Sequence, residues 1–181
     1  MIIKKGDFRW VFFELAKERF SVRNFSDKAI EEEKLNQIIQ AGRVAPTAKN
    51  KQPQKIYVLQ SKEAVEKVKT LSPCIYDAPT VLLICYDESA VWYNSRRPGY
   101  NSGEMDATIV CTHMMFAAWE LGIGSCWVGV FDDKEVSATF KLPENIKPIA
   151  LLPIGYPAED AVPNEKLHNS FRPQEETVTF L

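Results

Sequence analysis

Apolar residues in this chain follow two rhythms, one helical and one continuous, and their alternation lays out the elements. Between Glu104 and Leu121, Ala107, Val110, Met114, Ala117, Ala118 and Leu121 recur at three-and-four spacing, one face of a helix. Ile109, Met115, Phe116 and Trp119 make the opposite side apolar as well, broken by Thr108, Thr112, His113 and Glu120. A helix apolar nearly all round is covered on most sides. The interruptions exclude a membrane span, which needs roughly 20 apolar residues in a row. The pattern predicts the central helix of a globular core, open to sharing with a second subunit. Gly122 and Gly124 stop it, since glycine takes the left-handed cap conformation cheaply. Ser125 to Phe131 is expected to follow as a short buried strand.

The helical rhythm also predicts a helix over 8–20, capped by Asp7, with Phe8, Val11, Phe12, Leu15 and Ala16 on one face. A second helix over 30–42 turns Leu35, Ile38, Ile39 and Gly42 inward. A third starts at Ser61 with Val65 and Val68 inward. A fourth runs to Phe140 behind the capping-box pair Asp132 and Glu135. Continuous apolar runs over 55–60, 80–86 and 148–156 read as strands, the latter two fully buried. The closing Thr-Val-Thr-Phe-Leu, 177–181, is a last strand candidate. Segment 45–53 is a loop stiffened by Pro46 and Pro53. Segment 87–103 is a long polar and aromatic loop carrying Trp92, Tyr93 and Tyr100, and loops of that length are usually functional. Strands alternating with helices imply an α/β or α+β class. No repeat or linker divides the 181 residues, enough for one domain with a sizeable core. The polar tail beyond Pro157 is expected to pack on another subunit.

Composition narrows the function. A net charge of −2 removes nucleic-acid binding as a class expectation. A content of 45% hydrophobic and 25% charged residues is that of a soluble globular protein. The start, MIIKKGDFRW, has neither a long apolar run nor a cleavage site, so no signal peptide is expected and the location expected is cytoplasmic. Cys74, Cys85, Cys111 and Cys126 form no CxxC pair, and three lie in apolar runs, as small buried hydrophobes do in a reducing compartment. His113 and His168 lie far from any matched cysteine spacing, so no metal site is expected.

Three segments carry candidate chemistry. In an extended segment, Arg19, Ser21 and Arg23 project to one face. Two guanidinium forks and a hydroxyl suit phosphate oxygens, although a solvated basic edge is the plainer reading of these three alone. On the 46–52 loop, Asn50 and Gln52 each offer donor and acceptor groups, suited to the edge of a polar heterocycle, where an ordinary turn is the plainer reading. In the segment 124–129, Gly129 lets a flat ligand approach the backbone, while Cys126 and Trp127 read as packing groups.

In this order and spacing, the segments resemble the nitroreductase family of flavoproteins. The match lies in R-x-S-x-R at 19–23, AP[ST]A-x-N-x-QP at 45–53, LG-x-GSCW-x-G at 121–129 and IGYP at 154–157. Thr47 stands where serine is usual, and Gln54 where an aromatic is common. The resemblance implies an α+β, nitroreductase-like fold with a central, mostly antiparallel sheet, a long central helix and an intertwined homodimer holding two FMN at its interface. It implies that Arg19, Phe20 and Ser21 hold the phosphate and ribityl end, with Arg23 near the pyrimidine edge. Pro46, Thr47, Ala48, Asn50 and Gln52 would meet the ribityl chain and ring edge, and the backbone of Trp127, Val128 and Gly129 the reactive nitrogen. Of the tail bases Lys166, His168 and Arg172, Arg172 is taken for the phosphate. No side chain need be catalytic, because the flavin carries the chemistry. The implied activity passes hydride from NADH or NADPH through FMN to a small electron-poor acceptor, such as a nitroaromatic or quinone, by alternating use of one site. Reductive dehalogenation, flavin fragmentation and a non-enzymatic flavin-binding or storage role are the rival expectations.

Overall fold

The computed structural model describes residues 11–181. The elements in chain order are α1 (Val11–Glu18), α2 (Glu32–Arg43), β1 (Gln54–Leu59), α3 (Lys62–Leu71), β2 (Thr80–Asp87), α4 (Gly103–Glu120), β3 (Gly124–Ser125), α5 (Asp133–Phe140), β4 (Ile146–Gly155), α6 (Glu165–His168) and α7 (Gln174–Thr177). The strands form one sheet in the order β1-β2-β4-β3, every neighbouring pair antiparallel. The architecture is α+β.

The sheet is covered on both faces, which explains the continuous apolar runs of β2 and β4. Leu82, Ile84, Leu152 and Ile154 face α2 and α4, where they meet Leu35, Ile38, Val110 and Met114. Val81, Leu83 and Leu151 face α3 and α5, where they meet Val68 and Val136. Residues 80–86 are buried without alternation. A β-bulge between Ile84 and Cys85 shifts the register against β4.

In α4, the buried residues include the four-spaced row Asp106, Val110, Met114 and Ala118. The opposite side, through Ile109, Met115, Phe116 and Trp119, is half-buried in the single chain. Gly42 lets α2 close on α4, since a Cβ there would lie 2.8 Å from Met114 Cγ. Lys34 Nζ fixes the far end of this pair by donating to Leu121 O at 2.9 Å and to Tyr156 Oη at 2.8 Å. Ser61 caps α3 by accepting from Ala64 N–H, and Asp132 caps α5 by accepting from Lys134 and Glu135 N–H.

Two expectations shift, and a third is not tested. The Asp7 cap and Phe8 lie outside the described residues. The strand expected over 125–131 is only two residues long. Beyond Ser125 the chain keeps contact with β4 through Cys126 N–H to Pro153 O and a single bridge between Val128 and Leu151, and Val130 is already 59% exposed. The strand expected over 177–181 does not form, because α7 takes Thr177 and Val178 to Leu181 pair with no strand among the described residues. Among the described residues, no helix is long and apolar enough to cross a membrane, and no group of His, Cys, Asp and Glu could hold a metal ion.

Candidate functional site

Beyond α1 the backbone turns extended because it docks beside β3. Ser21 bridges Ser125 in parallel, and Val22 N–H donates to Ser125 O at 3.0 Å. Val22 is fully buried, which leaves its neighbours Ser21 and Arg23 facing outward. Ser26 N–H to Tyr156 O, at 2.9 Å, and the Phe25–Pro157 bridge extend the seam. This seam joins the segments 19–23 and 124–129, which lie a hundred residues apart in the chain.

Arg19, Phe20, Ser21 and Arg23 line a pocket of about 170 Å³ with Asn164, Leu167 and His168. Arg19 lies with its guanidinium 5.9 Å from the Phe116 ring centre. Phe20 packs edge-on against Trp119 and His168. The Arg19 Nε is buried and has no hydrogen-bond partner. Burial pulls the guanidinium below its ordinary value, with the Cys126 side chain opposing. Arginine stays charged regardless, so the pocket holds a partly desolvated cation with a free donor. Arg23 Nη1 donates to Ser21 O at 3.3 Å, and its side chain also interacts with Tyr76. Such a donor set suits an anion with several oxygens.

The tail builds the far wall. Asn164 caps α6 by accepting from Lys166 N–H, and this short turn brings His168 to the pocket. Arg172, the tail base expected at the phosphate, is exposed and does not line this pocket. Asn164 and Leu167 were not expected there. His168 was named among three tail bases, but Arg172 was preferred to it.

The 46–52 loop lies elsewhere. Ala48–Asn50 forms a 3-10 turn, and Lys49, Asn50 and Gln52 all take positive φ, at 52°, 52° and 49°. Thr47 Oγ1 accepts from Gln52 N–H at 3.0 Å, and Asn50 and Gln52 are exposed. Ala48 N–H donates to Asp106 Oδ1, in the first turn of α4, at 2.8 Å. Arg19 meets Phe116 near the other end of that helix. Ten residues at about 1.5 Å rise put the two clusters roughly 15 Å apart along one chain. Trp127, Val128 and Gly129 follow β3 directly. Trp127 packs toward the α4 side, Val128 is buried, and Gly129 is exposed with open space where a Cβ would stand.

The buried thiols are not poised as nucleophiles. Burial pushes Cys85 up to about 12 and raises Cys111 and Cys126, which Arg23 only partly offsets in Cys126. This agrees with reading them as packing groups.

The sequence profile of the Nitroreductase family matches residues 16–73 and 66–156. A nitroreductase family protein from Clostridium difficile 630 shares 38% identity with a TM-score of 0.86, covering 92% of this chain and 96% of that one. A Methanothermobacter thermautotrophicus protein, provisionally named NADH dehydrogenase/NAD(P)H nitroreductase, is 30% identical over 81% of this chain and 78% of its own. An FMN-dependent nitroreductase from another strain of Clostridium difficile shares 26% identity with a TM-score of 0.71, covering 93% of this chain and 98% of that one. The chain belongs to the nitroreductase family.

Proposed function

We propose that this protein is an FMN-dependent oxidoreductase that takes hydride from NADH or NADPH and delivers it to a small electron-poor acceptor, such as a nitroaromatic or quinone. The observation that carries the reading is the pocket at Arg19, whose buried Nε lacks a partner and whose walls include Ser21, Arg23 and His168. An FMN phosphate fits this donor set. It would offset the desolvated charge of Arg19 and occupy its free N–H. The names of the relatives, FMN-dependent and NAD(P)H nitroreductase, agree with it.

Bound FMN supplies the uptake and release of a hydride equivalent. The chain's residues bind and tune. Arg19, Phe20 and Ser21 hold the phosphate end, and Arg23 adds positive charge that favours a reduced, negatively charged cofactor. Pro46, Thr47, Ala48, Asn50 and Gln52 read the ring edge and ribityl chain, and Trp127, Val128 and Gly129 offer backbone to the ring. Arg172 belongs to this set through the tail of a second copy, while His168 serves within one chain.

The working unit is a homodimer. Two observations support it. The arginine pocket and the 46–52 loop lie toward opposite ends of α4, so one copy's loop can serve the other's pocket. The tail also carries Leu167, Phe171 and Phe180 at 66%, 83% and 87% exposure, apolar surface that a second copy would cover. The four free cysteines suit the cytoplasm. The test is anaerobic addition of NADH or NADPH to the FMN-loaded protein. Bleaching of the visible band, restored by a quinone or nitroaromatic, supports the reading. A loaded protein that neither nucleotide bleaches would be a flavin carrier instead.

A further inference from the structure

Asp106 heads the buried row of α4, and only 2% of it is exposed. A carboxylate at a core position needs partners, and this one has them in two other segments. Its Oδ1 accepts from Ala48 N–H at 2.8 Å, in the 46–52 loop. Its Oδ2 accepts from Ser102 Oγ at 2.7 Å. Ser102 closes the 87–103 loop, since its N–H donates to Trp92 O at 2.9 Å and its Oγ accepts from Trp92 N–H at 3.2 Å. One side chain therefore joins α4, the 46–52 loop and the 87–103 loop.

The 46–52 loop has reason to need such a tie. Three of its non-glycine residues hold left-handed backbone, which persists only where the surroundings over-determine it. Its other described bonds are internal, from Asn50 N–H to Thr47 O, Lys51 N–H to Ala48 O, Gln52 N–H to Thr47 Oγ1 and Gln52 Nε2 to Asn50 O. They fix the shape of the turn. The Ala48–Asp106 bond fixes where the turn sits on the core. We infer that Asp106 is a positioning residue, which through Ala48 N–H pre-sets the loop carrying Asn50 and Gln52 for the flavin ring and couples it to the 87–103 loop. The flavin part of this inference rests on the function proposed above.

Two variants break the tie from opposite sides. Asp106→Ala removes the acceptor. Ala48→Pro removes the donor and suits the backbone, because Ala48 opens the 3-10 turn and Thr47 before it is extended, at φ −132° and ψ 156°. Asp106→Asn keeps an oxygen for Ala48 N–H, while its amide donates to Ser102 Oγ where the carboxylate accepted from it, and loop exchange should stay closer to wild type than in the other two variants. In flavin-free protein, amide exchange at Asn50, Lys51 and Gln52 should quicken by about tenfold in the first two variants while the β2 and β4 amides hold. FMN and riboflavin affinities should fall together, by about tenfold, with their ratio unchanged. If Asp106→Ala does not fold, Ala48→Pro decides. Unchanged exchange and affinity in folded Ala48→Pro, or a loss in Asp106→Ala alone, overturns the inference, because the carboxylate would then act through stability only. If wild type binds neither flavin, the functional reading fails, and the exchange data still judge the tie.

Discussion

Replacing Arg19 by methionine should move stability and cofactor affinity in opposite directions. In the flavin-free protein, the Arg19 Nε is buried without a partner, and an unsatisfied buried donor costs about 1–3 kcal/mol. Arg19 is only partly covered, so the low end applies. Methionine removes that cost and keeps an apolar stem against Phe116. It forfeits the stacking of the guanidinium on that ring, which at 5.9 Å is at the limit of the interaction and worth about 0.5 kcal/mol when exposed. The net is a flavin-free protein more stable by about 0.5 kcal/mol, or roughly 1–2 °C in Tm. With FMN present the balance reverses. Losing a charge-assisted bond to the phosphate costs about 1.5–3 kcal/mol, a 10- to 150-fold rise in Kd at about 1.4 kcal/mol per tenfold. Riboflavin, which lacks the phosphate, should bind the variant and wild type alike. Thermal unfolding with and without FMN, beside fluorescence titrations of both flavins, reads all of these. Equal weakening of FMN and riboflavin, or a clearly less stable flavin-free variant, would refute the reasoning.

Three further outcomes are expected. Gly103→Ala should destabilise by about 1–3 kcal/mol in denaturant titrations, because a Cβ would overlap the buried Tyr86 ring; an unchanged midpoint would mean that the ring can shift. Tyr156 Oη donates to Glu31, and this bond, with Lys28 adding to it, holds the carboxyl down from 4.5 to about 2. A depressed carboxyl stabilises above its unfolded value and loses that contribution as pH falls through the folded one, so the stability gap between wild type and Tyr156→Phe should narrow from pH 4.5 to 2; a gap constant over that window would contradict the latch. Wild type should sediment at about twice the 20.6 kDa chain mass, and a chain ending at Ala161 should sediment as a monomer and bind FMN at least about tenfold more weakly; a flavin-competent dimer without the tail would remove its proposed role.

Much of the fold was legible because burial leaves a period. The central helix, the strands over 80–86 and 148–156 and the caps at Ser61 and Asp132 all follow from apolar spacing and capping chemistry. The short β3 was not legible. Cys126 and Val128 are buried, but Val130 emerges, so the apolar run outlasted its ladder. The terminal strand failed for another reason. Val178 and Phe180 have β-propensity, but a strand needs a neighbour, and propensity does not supply one. In the candidate site, Val22 anchors the alternation that turns Ser21 and Arg23 outward, whereas Arg19 reaches the same pocket with its Nε buried, beside a Phe20 that alternation alone would turn away. The choice of His168 over Arg172 within one chain depends on the α6 turn at Asn164, a tertiary placement with no local signal. Asp106 did leave a signal, a carboxylate in line with Val110, Met114 and Ala118, and its meaning emerged only when Ala48 and Ser102 stood beside it.

The visible spectrum of the purified protein, followed by acid release and identification of whatever is released, tests the central claim most directly. The account predicts a yellow protein with a flavin absorption band, and free FMN, phosphate included, in the acid supernatant at about one per chain. A colourless protein that FMN cannot reconstitute, or one that holds riboflavin as tightly as FMN, would contradict the assignment of the Arg19 pocket.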